Sequence, residues 1–463
     1  MNSYIFAGIV IATLLINFAW AFLKRKGITF SIYAADPNKH SSLIIALSLA
    51  GTIVGGGMFI AVGQIGYEAG VVGFVLGFIY LVGLTVVGVF TKAIRNMMDK
   101  GNHDSLLDLL DSSYGNRVTF QFCFVNLVMY IFLLAAQFVG LFLFARYVQG
   151  LTGIIWLPWL LLILAVIGMF FYPVIGGLRK DIRTDIVQVL IVLLASLIIL
   201  WQIFSKGIFV SMWTQLPAAH LSGTGYGVVF VIGAILFLTP SFLVRMDIWQ
   251  RIRAANTETA SNRGFWIAGI ISCFFYLFFT TIGMWAYVLK IPSGKYSTFE
   301  LINQQFQNPV ILGLIFGAFF AAVLSSADTF INNTSLFLTR MVFPNLWSKK
   351  QEESADKSLL RWSRMFAICF IILSLVLGYG MPNFVDLLVG AFSLLLIYLP
   401  TILGLFVENW RDKRAAFWSS NLGVVLFAIL FFGWNPKIAF APAVIVSIIT
   451  YSLILSVRRA KNA

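Results

Sequence analysis

Hydrophobic residues run along this chain in long stretches rather than in alternation. Thirteen of them are separated by short polar turns: residues 4–23, 41–66, 71–91, 118–145, 156–175, 185–205, 226–244, 265–289, 309–339, 363–380, 384–407, 416–433 and 438–457. Most hold the roughly 20 residues that a helix needs to cross the hydrocarbon core. Backbone polar groups find no water at that depth, so a helix, which satisfies them within the segment, is the expected form. The pattern predicts an all-α polytopic membrane protein with about thirteen transmembrane helices. The largest loops, near 92–117, 207–225, 290–308 and 341–362, are too short for a separate domain, so 1–463 reads as one membrane domain.

Polar residues inside the stretches are few and grouped. The run Phe316 to Leu338 is apolar enough for a membrane yet carries Ser325, Ser326, Asp328, Thr329, Asn332 and Asn333. At about 100° per residue these six fall within an arc of about 160° on one helix face. An ionisable group at membrane depth is costly, so the stripe is expected to face a protein interior or a water-filled cavity. Oxygen donors without Cys or His are ligands for a hard cation. The stripe therefore reads as an ion site in a transporter.

The second stretch holds Gly55-Gly56-Gly57 in mid-span. Each glycine lowers helix propensity by about 1 kcal/mol relative to Ala, and non-helical backbone at that depth occurs only where it is buried or lines a cavity. A broken helix offers bare carbonyls to ions. Close packing through small residues is the alternative. Unwinding is favoured, because packing needs glycine on one face only.

Two further segments carry polar groups. Tyr172 to Gln188, which joins two stretches, contains Gly176-Gly177-Leu178, Arg179, Lys180, Arg183, Thr184 and Asp185, and the three bases are expected to anchor it at the headgroups. Asp185 is expected to open the next helix, where a carboxylate suits the N-terminus; capping and ion binding both stay open for it. Asn126, Tyr130 and Gln137 fall within about 40° of one another on one helix face. Interhelical hydrogen bonding is favoured for them over lining a solute cavity. Asp386 reads as interfacial and has no assigned role.

Composition agrees with this picture: 60% of residues are hydrophobic, 11% are charged, and the mean hydropathy is +0.92. The net charge of +14 would suggest nucleic acid if it were clustered. It is not. With the N-terminus outside, every Lys and Arg except Arg146, Lys206, Lys290, Lys295 and Lys437 falls in a cytoplasmic segment, which is the positive-inside asymmetry. The first stretch has no basic n-region and is followed by Lys24-Arg25-Lys26, so it reads as a retained anchor rather than a cleaved signal. Cys123, Cys273 and Cys369 show no paired spacing. No Walker motif is visible, so transport would draw on a gradient.

Taken together, the segments resemble the sodium/solute symporter family. Gly176-Gly177-Leu178, Thr184-Asp185 and Gln188 are similar to its Gly-Gly-Leu, Thr-Asp, Gln pattern. Asp247, Gln250-Arg251 and Ala254 look like its cytoplasmic Gln-Arg, Ala segment, and Ala322, Ser325 and Ser326 resemble its Ala-x-x-Ser-Ser/Thr cation motif. The resemblance covers nearly the whole chain and rests on the order and spacing of these motifs. It implies a 5+5 inverted-repeat core of leucine-transporter type, with repeats at 41–206 and 226–407, an extra helix in 1–25 and two more in 416–457. It also implies a sodium ion held by the carbonyls of Gly51, Val54 and Ala322 and the hydroxyls of Ser325 and Ser326. Some members hold a second cation at the positions of Asp185, Ser325, Asp328 and Thr329. Asp328 stands where those members have a hydroxyl: it would strengthen that site, carry a proton, or pair with a base such as Arg340. Gly-Gly-Gly-Met replaces polar substrate ligands common in relatives, so no substrate identity is inherited.

The expectation is a secondary active transporter, not an enzyme. It would couple Na+ to uptake of a small organic solute into the cytoplasm by alternating access, without an organic cofactor. The solute is expected against Gly55, Gly56, Gly57, Met58 and Phe59, with Gln137 as a polar contact. No basic residue is expected at mid-membrane depth around that position, which argues for a neutral or zwitterionic solute. The plasma (inner) membrane is the expected setting, with the N-terminus outside and the C-terminus cytoplasmic. Solute and bilayer are the expected partners, nucleic acid is not, and the oligomeric state stays open. Two rivals remain: a proton-coupled transporter using Asp328 or Asp185, and a membrane sensor that binds solute without moving it. His40, His103 and His220 lie scattered in loops without a nucleophile or metal partner, which sets a membrane enzyme aside.

Overall fold

The computed structural model describes residues 3–22, 28–292, 294, 296–380, 394–433 and 439–462, and among them it is helical throughout, with no strand. The first half comprises α1 (Ser3–Phe22), α2 (Phe30–Ala34), α3 (Ser42–Ile53), α4 (Met58–Ala69), α5 (Val72–Lys100), α6 (Leu106–Tyr114), α7 (Asn116–Thr152) and α8 (Leu157–Ser205). Two short helices, α9 (Ile208–Gln215) and α10 (Ala218–Leu221), lead into the second half. That half holds α11 (Val228–Val244), α12 (Met246–Ala254), α13 (Glu258–Val288), α14 (Ser297–Gln305), α15 (Pro309–Val342), α16 (Pro344–Ser348) and α17 (Glu353–Gly380). The chain ends with α18 (Leu399–Phe406), α19 (Lys413–Gly433) and α20 (Phe440–Asn462).

Eight described helices are long and apolar enough to cross a membrane, or ten when each of two bent pairs counts as one span. Ser3–Ile16 and Leu157–Met169 are shorter apolar helices. The expected span 384–407 begins within 381–393, outside the described residues, as do Asp386 and the bases Lys24, Arg25, Lys26, Lys295 and Lys437. The count of thirteen is therefore not reached among the described residues.

The two bent pairs are α3 with α4, at 64°, and α11 with α12, at 54°. Around them the helices pack in two groups. α13 lies along α5, α3 and α4, and α11 lies along α5; α15 lies along α7, α8, α1 and α17. α3 also meets α8 and α15, so the two groups touch at the first break.

α8 is one helical path kinked at Gly177, whose φ of 54° and ψ of −151° suit only glycine. A Cβ there would also lie 2.6 Å from Tyr33 Cδ2, so the turn and the close approach of α2 both require the missing side chain. The expectation that Asp185 opens a helix fails here. The arm begins at Gly177, and Asp181 stands in its first turn, with Asp185 one turn further on. Within this segment Arg179 Nη2 donates to Asp36 Oδ1 at 2.7 Å.

Candidate functional site

The triple glycine marks a real interruption. α3 stops at Ile53, Val54 leaves the helical region at φ −81° and ψ 59°, and the chain is helical again from Gly56, running into a π turn over Met58–Val62. Gly55 alone of the three glycines therefore lies in the break. Such turns are rare and frequent at functional sites. Both readings of the glycines are realised together. The helix unwinds, and neighbouring side chains enter the space that a Cβ would take. At Gly51 that atom would sit 2.5 Å from Ser325 Oγ. At Gly55 it would strike Ser326 Oγ and lie 3.4 Å from Gln137 Oε1; at Gly56 it would strike Val323 and lie 3.3 Å from Gln137 Oε1.

The expected ion stripe on α15 is buried along its whole length. Ser325 Oγ donates to Asp185 Oδ1, and Ser326 Oγ donates to the carbonyl of Thr52 at 2.8 Å. Both hydroxyl protons are committed, which leaves only lone pairs for anything placed between Gly51, Val54, Ala322 and the two serines. Asp185 also accepts from Ser48 Oγ at 2.6 Å. This carboxylate therefore fixes the hydroxyl of one expected ligand, as an outer partner commonly does for a metal ligand.

Arg251 and Asp181, to which sequence pattern assigns no role there, complete the cluster. Asp181, Asp185, Arg251, Asp328, Thr329 and Asn332 are all 0% exposed. Arg251 Nη2 donates to Thr329 Oγ1 at 2.8 Å, Thr52 Oγ1 at 3.0 Å, Asp181 Oδ2 at 3.0 Å and Asp185 Oδ2 at 3.4 Å. Thr329 Oγ1 in turn lies 2.9 Å from Asp181 Oδ2. Of the four residues expected at a second cation position, Asp185 and Ser325 bond each other, and Thr329 bonds Asp181 and Arg251. Asp328 joins none of them: both its oxygens, and both polar atoms of its i+4 neighbour Asn332, lack a hydrogen-bond partner. Arg340 is committed elsewhere, to Asp111 at 2.9 Å and Asn116 at 3.0 Å, so it is no partner for Asp328 here.

Arg245, Arg251 and Arg253 read as loop charges in the sequence, yet every residue of α12 is buried. The helix is held inside by Trp249 Nε1, which donates to the Leu243 carbonyl at 2.7 Å, and by the Arg245–Asp247 ion pair at 2.7 Å. Tyr130 Oη donates to Asp247 at 2.6 Å, which is the interhelical role expected for it. Asn126 Nδ2 returns to its own helix at the Phe122 carbonyl, and Gln137 Oε1 has no partner. An i,i+4 pair of carboxylates, Asp181 and Asp185, was the available signal that a buried cation stands nearby.

The expected solute position is strongly apolar. The Phe59 ring lies 4.4 Å from that of Phe279, tilted by 50°, and meets Phe319 edge-on at 5.4 Å, and Met58 is buried beside it. Gln137 Oε1 reaches the break at Gly55 and Gly56, beside the hydroxyl of Ser326.

Near Asp36 and Asp108, ion pairs tie loops and helices together. Lys350 Nζ lies 2.6 Å from Asp108 Oδ2, Trp347 Nε1 donates to Asp108 at 2.7 Å, and Arg253 pairs with Asp99 at 2.7 Å. Burial alone would raise the Asp108 carboxyl, but Lys350, with Trp347 and Ser105, holds it below the usual carboxylate range. Burial likewise opposes ionisation of Asp36, and His40 and Arg179 outweigh it, so that carboxyl is also held low.

Known proteins share both the sequence pattern and the shape. The profile of the sodium:solute symporter family matches residues 38–423. An uncharacterised symporter of Escherichia coli (strain K12), YidK, is 22% identical over 310 residues, which is 63% of this chain. The match spans half of that protein's length. A Na+-coupled sialic acid symporter, solved substrate-bound and outward-open, superposes with a TM-score of 0.75 at 17% identity, covering 98% of each chain. MHP1, a nucleobase-cation-symport-1 family transporter solved closed with bromovinylhydantoin, superposes with a TM-score of 0.63 at 14% identity, covering 93% of this chain and 96% of that one. The architecture is thus the leucine-transporter type, and this multi-pass membrane chain belongs to the sodium:solute symporter family.

Proposed function

We propose that this transporter couples sodium to the uptake of a small organic solute by alternating access. The observation that carries the proposal is the pair of serines on α15. Both hydroxyl protons are bonded away, beside a helix whose backbone is interrupted at Val54 and Gly55. Sodium is a translocated ion in this reading. Its ligands would be the carbonyls of Gly51, Val54 and Ala322 and the hydroxyls of Ser325 and Ser326, with Asp185 positioning Ser325. Neutral oxygens suit an ion that must be held and then released.

The solute would lie against Gly55, Gly56, Gly57, Met58 and Phe59 and use Gln137. An aromatic wall with one amide supports a neutral or zwitterionic molecule. Sodium binding orders the break and completes the solute position, and the differential affinity of the two ligands for the two states supplies about 1–3 kcal/mol of coupling. The same proposal includes repeats at 41–206 and 226–407, flanking helices at 1–25 and 416–457, the plasma (inner) membrane, and an N-out, C-in orientation supported by the distribution of basic residues.

A proton-coupled cycle is the second reading, favoured by one observation: the Asp328 carboxylate is buried with no hydrogen-bond partner, a costly state for an ionised group. A solute screen separates the two. Sugars, amino acids and nucleobases are each added to purified protein in sodium and in potassium, and the unfolding midpoint is recorded. A solute that stabilises only in sodium, and accumulates in proteoliposomes under an inward sodium gradient, supports symport. Equal stabilisation in both salts, with uptake driven by a proton gradient alone, contradicts it.

A further inference from the structure

We propose that the guanidinium of Arg251 permanently fills the second cation position, so that one sodium ion, not two, moves in each cycle. This rests on the sodium-coupled reading above and concerns its stoichiometry. The geometry around Arg251 Nη2 is that of a caged monovalent cation. Four oxygens from three helices surround one nitrogen at 2.8–3.4 Å: Thr52 Oγ1 on α3, Asp181 Oδ2 and Asp185 Oδ2 on α8, and Thr329 Oγ1 on α15. That nitrogen has only two protons, so four oxygens are gathered by its charge as much as by directed hydrogen bonds. Nε takes a fifth oxygen, Ser48 Oγ, at 3.3 Å, and Nη1 takes none.

Two of the four residues expected for a second sodium, Asp185 and Thr329, are thus ligands of the guanidinium instead. A third, Ser325, belongs to the first sodium position and reaches Asp185 through its proton. An arginine is charged at every accessible pH, so this cation cannot be released by titration, and it cannot diffuse away. It neutralises one of the two carboxylates. A single sodium beside Ser325, which is bonded to the other, balances the remainder. Because α12 and α3 supply Arg251 and Thr52 while α8 and α15 supply the acids and Thr329, the same ion pairs also tie the two packing groups of the bundle together.

The test is the number of sodium ions bound per chain, read with radioactive sodium on the purified full-length protein at saturation. The wild type is expected to bind one equivalent, lost in Ser325→Ala/Ser326→Ala. Arg251→Ala, which empties the cage, is expected to bind two. Arg251→Lys, which keeps a tethered charge, is expected to bind one, and it keeps the comparison meaningful if the alanine variant does not fold. A wild type with two equivalents, one of them lost in Asp181→Asn, overturns the proposal and leaves sodium symport standing. A folded Arg251→Ala variant that still binds one equivalent also overturns it. Absence of any sodium binding overturns both this proposal and the sodium-coupled reading.

Discussion

In the proposed sodium site, Ser325 and Ser326 would serve as ligands through their lone pairs. Each has a single proton, and each proton is already bonded, to Asp185 and to the Thr52 carbonyl. Replacing Asp185 by Asn keeps the size of the side chain and removes the charge that holds the Ser325 proton. Loss of such an outer partner typically weakens metal binding by about 10–100-fold, so Asp185→Asn is expected to raise the sodium concentration for half-maximal stabilisation by that factor in a titration of the unfolding midpoint. Gly51→Ala places a methyl 2.5 Å from Ser325 Oγ. It is expected to abolish the sodium response while leaving the fold intact, as judged by helical circular dichroism. Arg245→Ala leaves the buried Asp247 carboxylate with Tyr130 alone and is expected to cost about 3–5 kcal/mol in chemical unfolding.

The broken helices separate what was readable in the sequence from what was not. Three adjacent glycines lower helix propensity at successive positions, so the interruption between α3 and α4 was visible. So was the polar face of α15, because one helical period gathers its hydroxyls and carboxylate. The bend between α11 and α12 was hidden. Arg245, Asp247, Arg251 and Arg253 read as a charged loop, and it is the Arg245–Asp247 pair together with tertiary partners, among them Tyr130, Asp181, Asp185, Thr52, Thr329 and Asp99, that offsets burial of that segment. Pattern reports how polar a segment is; it does not report which acids on distant helices will meet it. The capping role open for Asp185 failed for a related reason: Gly177 turns the chain two turns earlier than the polar cluster suggested. If the break matters as an element, Gly55→Ala/Gly56→Ala is expected to weaken sodium and solute responses together, read as parallel losses in the same thermal titration.

At the scale of the whole molecule, loops and helices are joined by buried ion pairs around Asp36 and Asp108. Both carboxyls sit below their ordinary range, so each contributes stability that is fully present above the unfolded value of 3.8. That contribution is lost as pH falls through the lower, folded value. The unfolding midpoint is therefore expected to be insensitive to these two groups from about pH 5 upward. It should fall on strong acidification, and Asp108→Asn should flatten that acid limb.

The claim that joins all three scales is sodium at the α3–α15 break, and it can be tested without knowing the solute. Purified protein is unfolded thermally in sodium, potassium and choline chloride at equal ionic strength, beside Ser325→Ala/Ser326→Ala. A midpoint that rises with sodium alone, and stays flat in the variant, is the predicted result. A midpoint indifferent to the cation across a wide concentration range would contradict the sodium site and bring Asp328 and a proton gradient forward in its place.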